Sequence, residues 1–314
     1  MPKVSVIIPT HNRTVFLRGA LESVLRQTYE DFDIIVVDDA SKEDVQGIIN
    51  GFHDSRIRLI RHDFSMGEAG ARNTGILNSQ GEYIAFLDDD DEWLPKKLAL
   101  QVEILDNSPS KVGGAYTGYI GVNFADQRVM YRKVPSKKGD IYRDLLRRNV
   151  IGTPSTVLIR RACIEKAGLF DGSVFYGIDC DLYLRIARHF HFEYLEEPLV
   201  KYHIHDDRIT SNPEIVSKGL EAMSRKYASE RGFLSDRKIR SLGYLSVGVN
   251  FCFRNNTSKG RRAFLKSILL NPFEWKSYFN LGLTLFGSRN FVKLKKMKDS
   301  MLLTVRNGSV LKKY

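Results

Sequence analysis

The sequence predicts an α/β fold in which helices flank a mostly parallel central sheet, followed by a smaller α-helical C-terminal region. Short apolar segments rich in Val and Ile alternate along the first half with segments whose apolar residues recur at helical spacing. Each apolar segment ends in polar residues, whereas the last third of the chain shows helical spacing without such segments. A chain of 314 residues can hold one large domain and a smaller unit, which we place at residues 1–208 and 209–314.

The first half contains strand and helix patterns in alternation. We predict strands at residues 3–8, 33–37, 56–61 and 83–87. We predict helices at residues 16–25, 45–49 and 67–77. In open parallel sheets the ligand crevice lies outside the carboxyl ends of the strands. The polar residues that follow these strands are therefore expected to face one pocket.

Four consecutive aspartates, Asp88, Asp89, Asp90 and Asp91, follow the fourth strand pattern. Carboxylates a few ångströms apart repel one another by on the order of 1 kcal/mol per pair, even when they are partly solvated. A divalent cation would relieve this repulsion, and a high density of hard oxygen ligands suits Mg²⁺ or Mn²⁺. The alternative interpretation is a solvated acidic loop.

The predicted pocket combines groups that suit a nucleoside diphosphate. Residues 10–13, Asp38 and Asp39 offer hydrogen-bond partners for a base or ribose, and Arg72 offers a guanidinium for a phosphate. The sequence contains no G-x-x-x-x-G-K-[ST] segment, and Gly67-x-x-Gly70 lacks the G-x-G-x-x-G spacing after a first strand. These absences argue against a phosphate-binding P-loop and a dinucleotide fingerprint.

Four segments in this order and spacing closely resemble glycosyltransferase family 2. They are VSVIIPTHNR at residues 4–13, IVVDDAS at 35–41, GARN at 70–73 and GEYIAFLDDDDEWLP at 81–95, and a looser resemblance continues to Asn212. The resemblance implies the GT-A fold, a Rossmann-like arrangement. It also implies transfer of a hexose or N-acetylhexosamine, with inversion at the anomeric carbon, from a nucleoside-diphosphate sugar that is usually a UDP-sugar.

The resemblance also implies roles for individual residues. Asp88 and Asp90 match the ends of the family's D-x-D motif, so Asp90 would bind Mn²⁺ or Mg²⁺ and Asp88 would hold the ribose or the metal's water shell. Asp91 is a further candidate beside them, and His205 matches a histidine near the diphosphate or metal. The residues that would contact the nucleotide sugar are Pro9, Thr10, His11, Arg13, Asp38, Asp39, Arg72, Asp88 and Asp89. Asp39 would accept a hydrogen bond from uracil, and Arg72 would counter charge on the leaving group.

An inverting transfer needs a general base to remove the proton of the acceptor hydroxyl. The resemblance places this base at Asp179, although Ile178 stands where the family commonly has Glu. Asp181 is a rival, and the alternative for it is a carboxylate favoured by the positive end of the helix dipole. The acceptor-side candidates are Trp93, Thr153, Ser155 and Asp181. For Trp93, packing in the core is the alternative.

Charge divides the chain into two halves. Residues 209–314 carry 21 Lys and Arg against 6 Asp and Glu, or +15, whereas residues 1–208 carry −4. Helices are predicted at residues 214–231, 241–253 and 258–270. The apolar and basic segment 291–298 suits an interfacial helix on an anionic membrane surface. A basic solvated helix packed on the first domain is an equally valid interpretation.

The remaining features favour a cytoplasmic enzyme at the inner face of the cell membrane. Three cysteines without metal-type spacing suit a reducing compartment, and neither a signal peptide nor an apolar stretch long enough to span a bilayer is visible. The expected acceptor is a glycan or lipid-linked molecule of the cell surface, with one sugar added per encounter; both a monomer and an oligomer remain open.

Two other functions fit part of the sequence. A metal-dependent nucleotidyltransferase would also use an Asp-bound metal and a nucleoside pocket. A non-enzymatic protein that binds nucleic acid or membrane would explain the basic C-terminal region but not the pocket-facing motifs. We therefore expect no nucleic-acid partner.

Overall fold

The computed structural model describes residues 1–174, 176–205, 212–288 and 290–294. The chain divides into two compact units, Met1–Asp206 and Asp207–Tyr314. The predicted boundary after residue 208 falls outside the described residues, as do residues 295–298 of the predicted interfacial helix.

The first unit alternates strands and helices. Its strands are β1 (Val4–Thr10), β2 (Phe32–Asp38), β3 (Ile57–Arg61), β4 (Tyr83–Phe86), β5 (Asp91–Trp93), β6 (Val112–Asn123), β7 (Val129–Lys133), β8 (Val157–Arg160) and β9 (His191–Ile204). Its helices are α1 (Thr14–Leu25), α2 (Val45–Asn50), α3 (Gly67–Leu77), α4 (Lys97–Asp106), α5 (Tyr142–Arg147), α6 (Arg161–Ala167) and α7 (Ile178–Ala187), with a 3-10 turn at Pro154–Thr156.

These strands form one mixed sheet in the order β3-β2-β1-β4-β8-β6-β9-β5, and β7 pairs with β6. The first four strands run parallel, as predicted from their alternation with helices. The second half differs from the mostly parallel prediction, because β8 runs antiparallel to both β4 and β6 and β5 runs antiparallel to β9. β7 follows β6 through a short turn, which leaves no room for a crossover helix and makes that pair antiparallel too.

The parallel strands are buried on both faces, which explains their nearly continuous apolar runs. Val4, Val6 and Ile8 belong to the large core that α1 and α4 cover. On the opposite face α3 packs closely on β1 at Gly75, where an added Cβ would lie 2.4 Å from Ile7 Cγ2. This close packing fixes the beginning of α3 beside the carboxyl ends of β1 and β2.

The second unit is helical as far as it is described. It contains α8 (Pro213–Arg231), α9 (Phe233–Phe253), α10 (Thr257–Leu270) and α11 (Trp275–Leu283). α9 begins eight residues earlier than predicted, because Gly232, with a φ of +75°, lets a new helix start directly after α8. Phe233 and Leu234 are exposed, so the first turn of α9 carries no core periodicity. Within the described residues, no helix is both long and apolar enough to cross a bilayer.

Candidate active site

The aspartate run forms a tight turn between β4 and β5. The amide of Asp91 donates to the carbonyl of Asp88 at 3.0 Å, and Asp91 then enters β5 opposite Tyr202 of β9. This turn brings together carboxylate oxygens of Asp88, Asp90 and Asp91, all within 4.8 Å of one another. The predicted D-x-D residues therefore converge at the carboxyl edge of the sheet.

Two arginines contact the cluster. Arg13 Nη1 lies 3.2 Å from Asp89 Oδ1 and 2.9 Å from Asp90 Oδ2. Arg72, which is only 1% exposed, places Nη2 2.5 Å from Asp88 Oδ1. Its Nη1 also donates to Glu68 at 2.5 Å, so the charge of Arg72 is shared between Asp88 and Glu68.

His205 lies where a metal ligand was predicted. Its Nε2 is 3.0 Å from Asp90 Oδ2, and its ring stacks on Phe16 at a centroid distance of 4.5 Å. The buried Nδ1 has no hydrogen-bond partner among the residues that the structure describes. The ring is thus fixed by stacking while one nitrogen faces the aspartate cluster.

The two arginines do not fully offset the cost of burying the negative charge of the aspartates. Burial raises the pKa of Asp89 to about 7, and the charge of Asp90 adds to the effect against the opposing influence of Arg13. Burial also raises the pKa of Asp88, although Arg72 opposes this shift. Three crowded, hard carboxylate oxygens, from Asp88, Asp90 and Asp91, fit a divalent cation such as Mn²⁺ or Mg²⁺.

Thr153 and Ser155 were predicted to touch the acceptor, but their hydroxyls bond the aspartates. Thr153 Oγ1 donates to Asp88 Oδ2 at 3.0 Å, and the buried Ser155 Oγ donates to Asp91 Oδ2 at 2.7 Å. Ser155 Oγ also accepts from the amide of Asp88 at 3.1 Å. The 3-10 turn before β8 thereby orients two carboxylates of the cluster.

Two other acceptor candidates occupy the core. Trp93 is 3% exposed, its indole N–H donates to the carbonyl of Ser155, and the ammonium of Lys97 lies 3.9 Å from its ring centroid. Asp181 is fully buried and pairs with Arg185 at 2.9 Å. In this structure both side chains are buried, which argues against the predicted acceptor roles of Trp93 and Asp181 and favours Asp179 over Asp181 as the base.

The nucleotide end of the site is organised by Asp39. Its two oxygens accept four hydrogen bonds, from His62 Nδ1, the Ser65 hydroxyl and the amides of Met66 and Gly67, at 2.6 to 2.9 Å. Burial alone would raise the pKa of Asp39, but these donors hold it below the ordinary value. In this conformation the carboxylate predicted to receive uracil instead holds the loop between β3 and α3.

The other predicted nucleotide contacts lie around this loop. His11 Nδ1 is 2.6 Å from the carbonyl of Asp39, and Thr10 Oγ1 donates to Asp89 at 2.7 Å. Asp38 accepts from the amide of Ser41, and Pro9 lies within β1 opposite Val37. The structure therefore brings both the nucleotide candidates and the metal candidates to one edge of the sheet.

Asp179 occupies the first turn of α7. Asn149 Nδ2 donates to its Oδ2 at 3.0 Å. Burial raises the pKa of Asp179 to about 6; the Cys180 amide and Arg72 lower it, whereas the charges of Glu68 and Asp88 raise it further. No sequence pattern points to Asn149, because it is an isolated Asn in a loop.

Comparison with known proteins identifies the family of the chain. The sequence profile described as Glycosyl transferase family 2 matches residues 5–168. An uncharacterized glycosyltransferase of Rickettsia typhi is 32% identical over 214 residues, 67% of this chain and 66% of that protein. The UDP-Glc:alpha-D-GlcNAc-diphosphoundecaprenol beta-1,3-glucosyltransferase WfgD of Escherichia coli is 36% identical over 137 residues, 42% of this chain and 54% of that protein. The chain spans between 31% and 66% of the length of curated relatives such as these.

Solved structures of low sequence identity share the fold. S. aureus TarS 1–349 in complex with UDP-GlcNAc superposes with a TM-score of 0.62, covering 92% of this chain and 88% of that chain at 16% identity. The mannosyltransferase PcManGT from Pyrobaculum calidifontis, in complex with GDP-Man and Mn²⁺, gives a TM-score of 0.59, covering 100% and 88% at 17% identity. These superpositions confirm the predicted fold class.

Proposed function

The chain belongs to glycosyl transferase family 2, and from that premise we propose that it transfers one sugar from a nucleoside-diphosphate sugar to a hydroxyl of a lipid-linked or glycan acceptor, with inversion. The observation that carries the proposal is the convergence of Asp88, Asp90 and Asp91 at the carboxyl edge of the parallel strands. Ligands of open α/β sheets bind at this edge. We expect a UDP-sugar, in line with UDP-GlcNAc in the TarS complex and UDP-Glc in the name of WfgD.

The acidic cluster would hold Mn²⁺ or Mg²⁺ through Asp88, Asp90 and Asp91, with His205 beside Asp90. When bound, such an ion supplies positive charge that stabilises a departing diphosphate. PcManGT was solved with Mn²⁺ alongside its nucleotide sugar, which supports the choice of metal. Thr153 and Ser155 keep the carboxylates oriented, since their hydroxyls bond Asp88 and Asp91.

Arg72 would counter the charge that develops on the diphosphate. Its guanidinium is buried, and it is already fixed by Asp88 and Glu68 before any substrate arrives. A preorganised cation stabilises charge in the transition state without reorganising at the moment of reaction.

Asp179 would act as the general base. The proton of the acceptor hydroxyl would move to the Asp179 carboxylate while the hydroxyl oxygen bonds to the anomeric carbon. In the same step the bond from that carbon to the diphosphate oxygen breaks, and its electron pair leaves with the nucleoside diphosphate. A carboxylate whose pKa is raised to about 6 is a stronger base than an ordinary aspartate and is still mostly ionised at pH 7.

A lipid-linked acceptor would require contact with a membrane, and the helical unit exposes a surface suited to it. Phe233, Leu234, Leu269, Phe273 and Trp275 are each at least 60% exposed, and we call them the aromatic edge. Arg237 bonds the Leu269 carbonyl and lies over the Phe233 ring, so the start of α9 and the end of α10 form one surface. With +15 on residues 209–314, this edge suits an anionic bilayer.

Sedimentation with lipid vesicles tests the membrane contact. We expect binding to phosphatidylglycerol vesicles that is lost when Phe273 and Trp275 are both replaced by Ala. Leu242→Ala removes an exposed apolar side chain elsewhere on α9 and should leave binding unchanged. Equal binding to neutral phosphatidylcholine, or no effect of the double variant, would contradict the proposal.

Product identity tests the activity itself. Incubation with UDP-sugars, Mn²⁺ and lipid-linked acceptors should release UDP and lengthen the acceptor by one sugar, and a chelator should stop both. Release of pyrophosphate from UTP and a sugar phosphate would show a nucleotidyltransferase instead. If neither UDP nor pyrophosphate were released under any of these conditions, the result would favour a non-enzymatic binding protein.

A further inference from the structure

A basic segment of the first unit stands out against that unit's acidic charge. Residues 128–148 contain eight Lys and Arg and two Asp, a net charge of +6. They form β7, α5 and the connections around them. Lys137 is neutralised by Asp144 and Lys138 by Glu193. For Lys133 and Arg148, by contrast, the structure shows no ion pair with any carboxylate of the described residues.

Lys133 is the member of this segment that is held in place. It is the last residue of β7, and its ammonium lies 5.3 Å from the ring centroid of Tyr119 on the neighbouring strand β6. The side chain is half-buried, and burial together with the nearby charge of Arg148 lowers its pKa, while Asp179 opposes the shift. The charge of Asp179 offsets only part of the cost of holding two cations there, so a further anion beside them would be favourable.

One loop connects Arg148 to the proposed reaction centre. Asn149 follows Arg148 directly, and its side-chain amide donates both to Asp179 and to the carbonyl of Gly152. Gly152 packs against Tyr119, since an added Cβ would lie 3.0 Å from that ring. The next residue, Thr153, bonds Asp88 of the acidic cluster.

We propose that Lys133, which lies over the ring of Tyr119, and Arg148 form a subsite for a phosphate or diphosphate group of the acceptor. This proposal rests on the proposed function, because it places the subsite beside the general base. The donor diphosphate is assigned to the acidic cluster and Arg72, so a second pair of cations on the Asp179 side suits a phosphate carried by the other substrate. The subsite would select acceptors whose sugar is attached through a phosphate, such as a sugar diphosphoryl lipid.

A binding measurement with UDP in the donor site shows whether a phosphate-bearing acceptor probe occupies the proposed subsite or the donor site. The probes are N-acetylglucosaminyl diphosphoryl undecane and the undecyl glycoside of the same sugar without phosphates. Each is titrated calorimetrically into the full-length protein, without UDP and with saturating UDP and Mn²⁺. We expect the wild type to bind the diphosphate probe at least about tenfold more tightly than the glycoside in both conditions, because charged hydrogen bonds contribute on this scale.

Three variants locate the effect. Lys133→Met keeps the apolar stem on Tyr119 and removes the charge, and Arg148→Ala removes the second cation. Each should lose about tenfold of the preference for the diphosphate probe. Arg132→Ala is the matched control, since Arg132 precedes Lys133 on the same strand and its side chain points to the opposite face. The control should retain the wild-type preference.

Different results would contradict the subsite and the proposed function. No preference of the wild type for the diphosphate probe, or an equal loss in Arg132→Ala, would overturn the subsite. Displacement of the probe by UDP and Mn²⁺ would also overturn it, because the probe would then have occupied the donor site. A wild type that fails to bind UDP with Mn²⁺ would instead contradict the proposed function, whatever the probes show.

Discussion

Two acidic regions lie at the carboxyl edge of the same sheet, and they differ in what balances their charge. At the end of β2, Asp39 is surrounded by four donors of the chain itself. After β4, the carboxylates of residues 88–91 are crowded together, and one of the two arginines that contact them is shared with Glu68. The pKa of Asp39 is lowered accordingly, whereas the pKa values of Asp88 and Asp89 are raised.

The difference separates a carboxylate that stabilises the fold from carboxylates that await a ligand. A lowered pKa means that the folded state favours the ionised form of Asp39, which contributes stability. The raised values mean that folding is opposed by the ionised forms after β4 until a cation or a proton arrives. Asp179 belongs with this second region, because Glu68 and Asp88 help to raise its pKa.

The largest effect is expected at Asp179. Asp179→Asn should lower kcat about 10²- to 10⁴-fold, because the amide cannot take the proton of the acceptor. UDP affinity and thermal stability should stay near wild type, since Asp179 forms no ion pair with any cation among the described residues and an amide oxygen can still accept from Asn149. Asp181→Asn is the matched variant two residues away; it removes the charge that pairs with the partly buried Arg185, which keeps its backbone carbonyl acceptors, and should lower stability by about 2 kcal/mol. The account is wrong if Asp181→Asn loses turnover and Asp179→Asn does not.

Asp39→Asn should act on stability. An amide cannot accept four hydrogen bonds, so we expect the free energy of unfolding to fall by about 3 kcal/mol in urea titrations. Because the folded pKa of Asp39 is lowered, this contribution is present above the ordinary value of 3.8 and is lost as the pH falls through the folded pKa. Asp63→Asn, in the same loop but exposed, is the control and should change little. Equal stabilities of the two variants would remove the contrast between the regions.

A smaller effect is expected from pH. Asp179 must be ionised to accept a proton, and its pKa is raised to about 6. The kcat of the wild type should therefore fall about tenfold per pH unit below about 6 and level off above it. Initial rates at saturating donor and acceptor between pH 5 and about pH 8 measure this profile. A midpoint near the ordinary aspartate value would assign the base to a different group.

The sequence could predict the parallel half of this sheet because its signals are local. Each strand of that half is a short apolar run followed by polar residues. In the helix that follows it, apolar residues recur at helical spacing. The long-range pairing of β5 with β9 has no such signal, since residues 91–93 are too few and too acidic to read as a strand. That pairing bends the aspartate run into the turn that brings its carboxylates together.

The sequence motifs indicate which residues gather at the candidate site, but they do not show the contacts that depend on the tertiary fold. The positions of Asp88, Asp90 and His205 follow their motifs. The hydrogen bonds of Thr153 and Ser155 to the aspartates have no signal in the sequence, because these residues are distant from the aspartates along the chain, and their contact with the acceptor stays a prediction. The basic segment at residues 128–148 was overlooked, although its local charge could have been counted, because the acidic total of the first half concealed it.

The central claim is that the carboxylates after β4 are reserved for a metal-bound nucleotide. Calorimetric titration of UDP, with Mn²⁺ and with a chelator, tests it on the wild type, on Asp90→Ala and on Asp31→Ala, an exposed control before β2. We predict binding that requires Mn²⁺ in the wild type and the control and is lost in Asp90→Ala. Binding that survives the chelator, or that Asp90→Ala retains, would contradict the account.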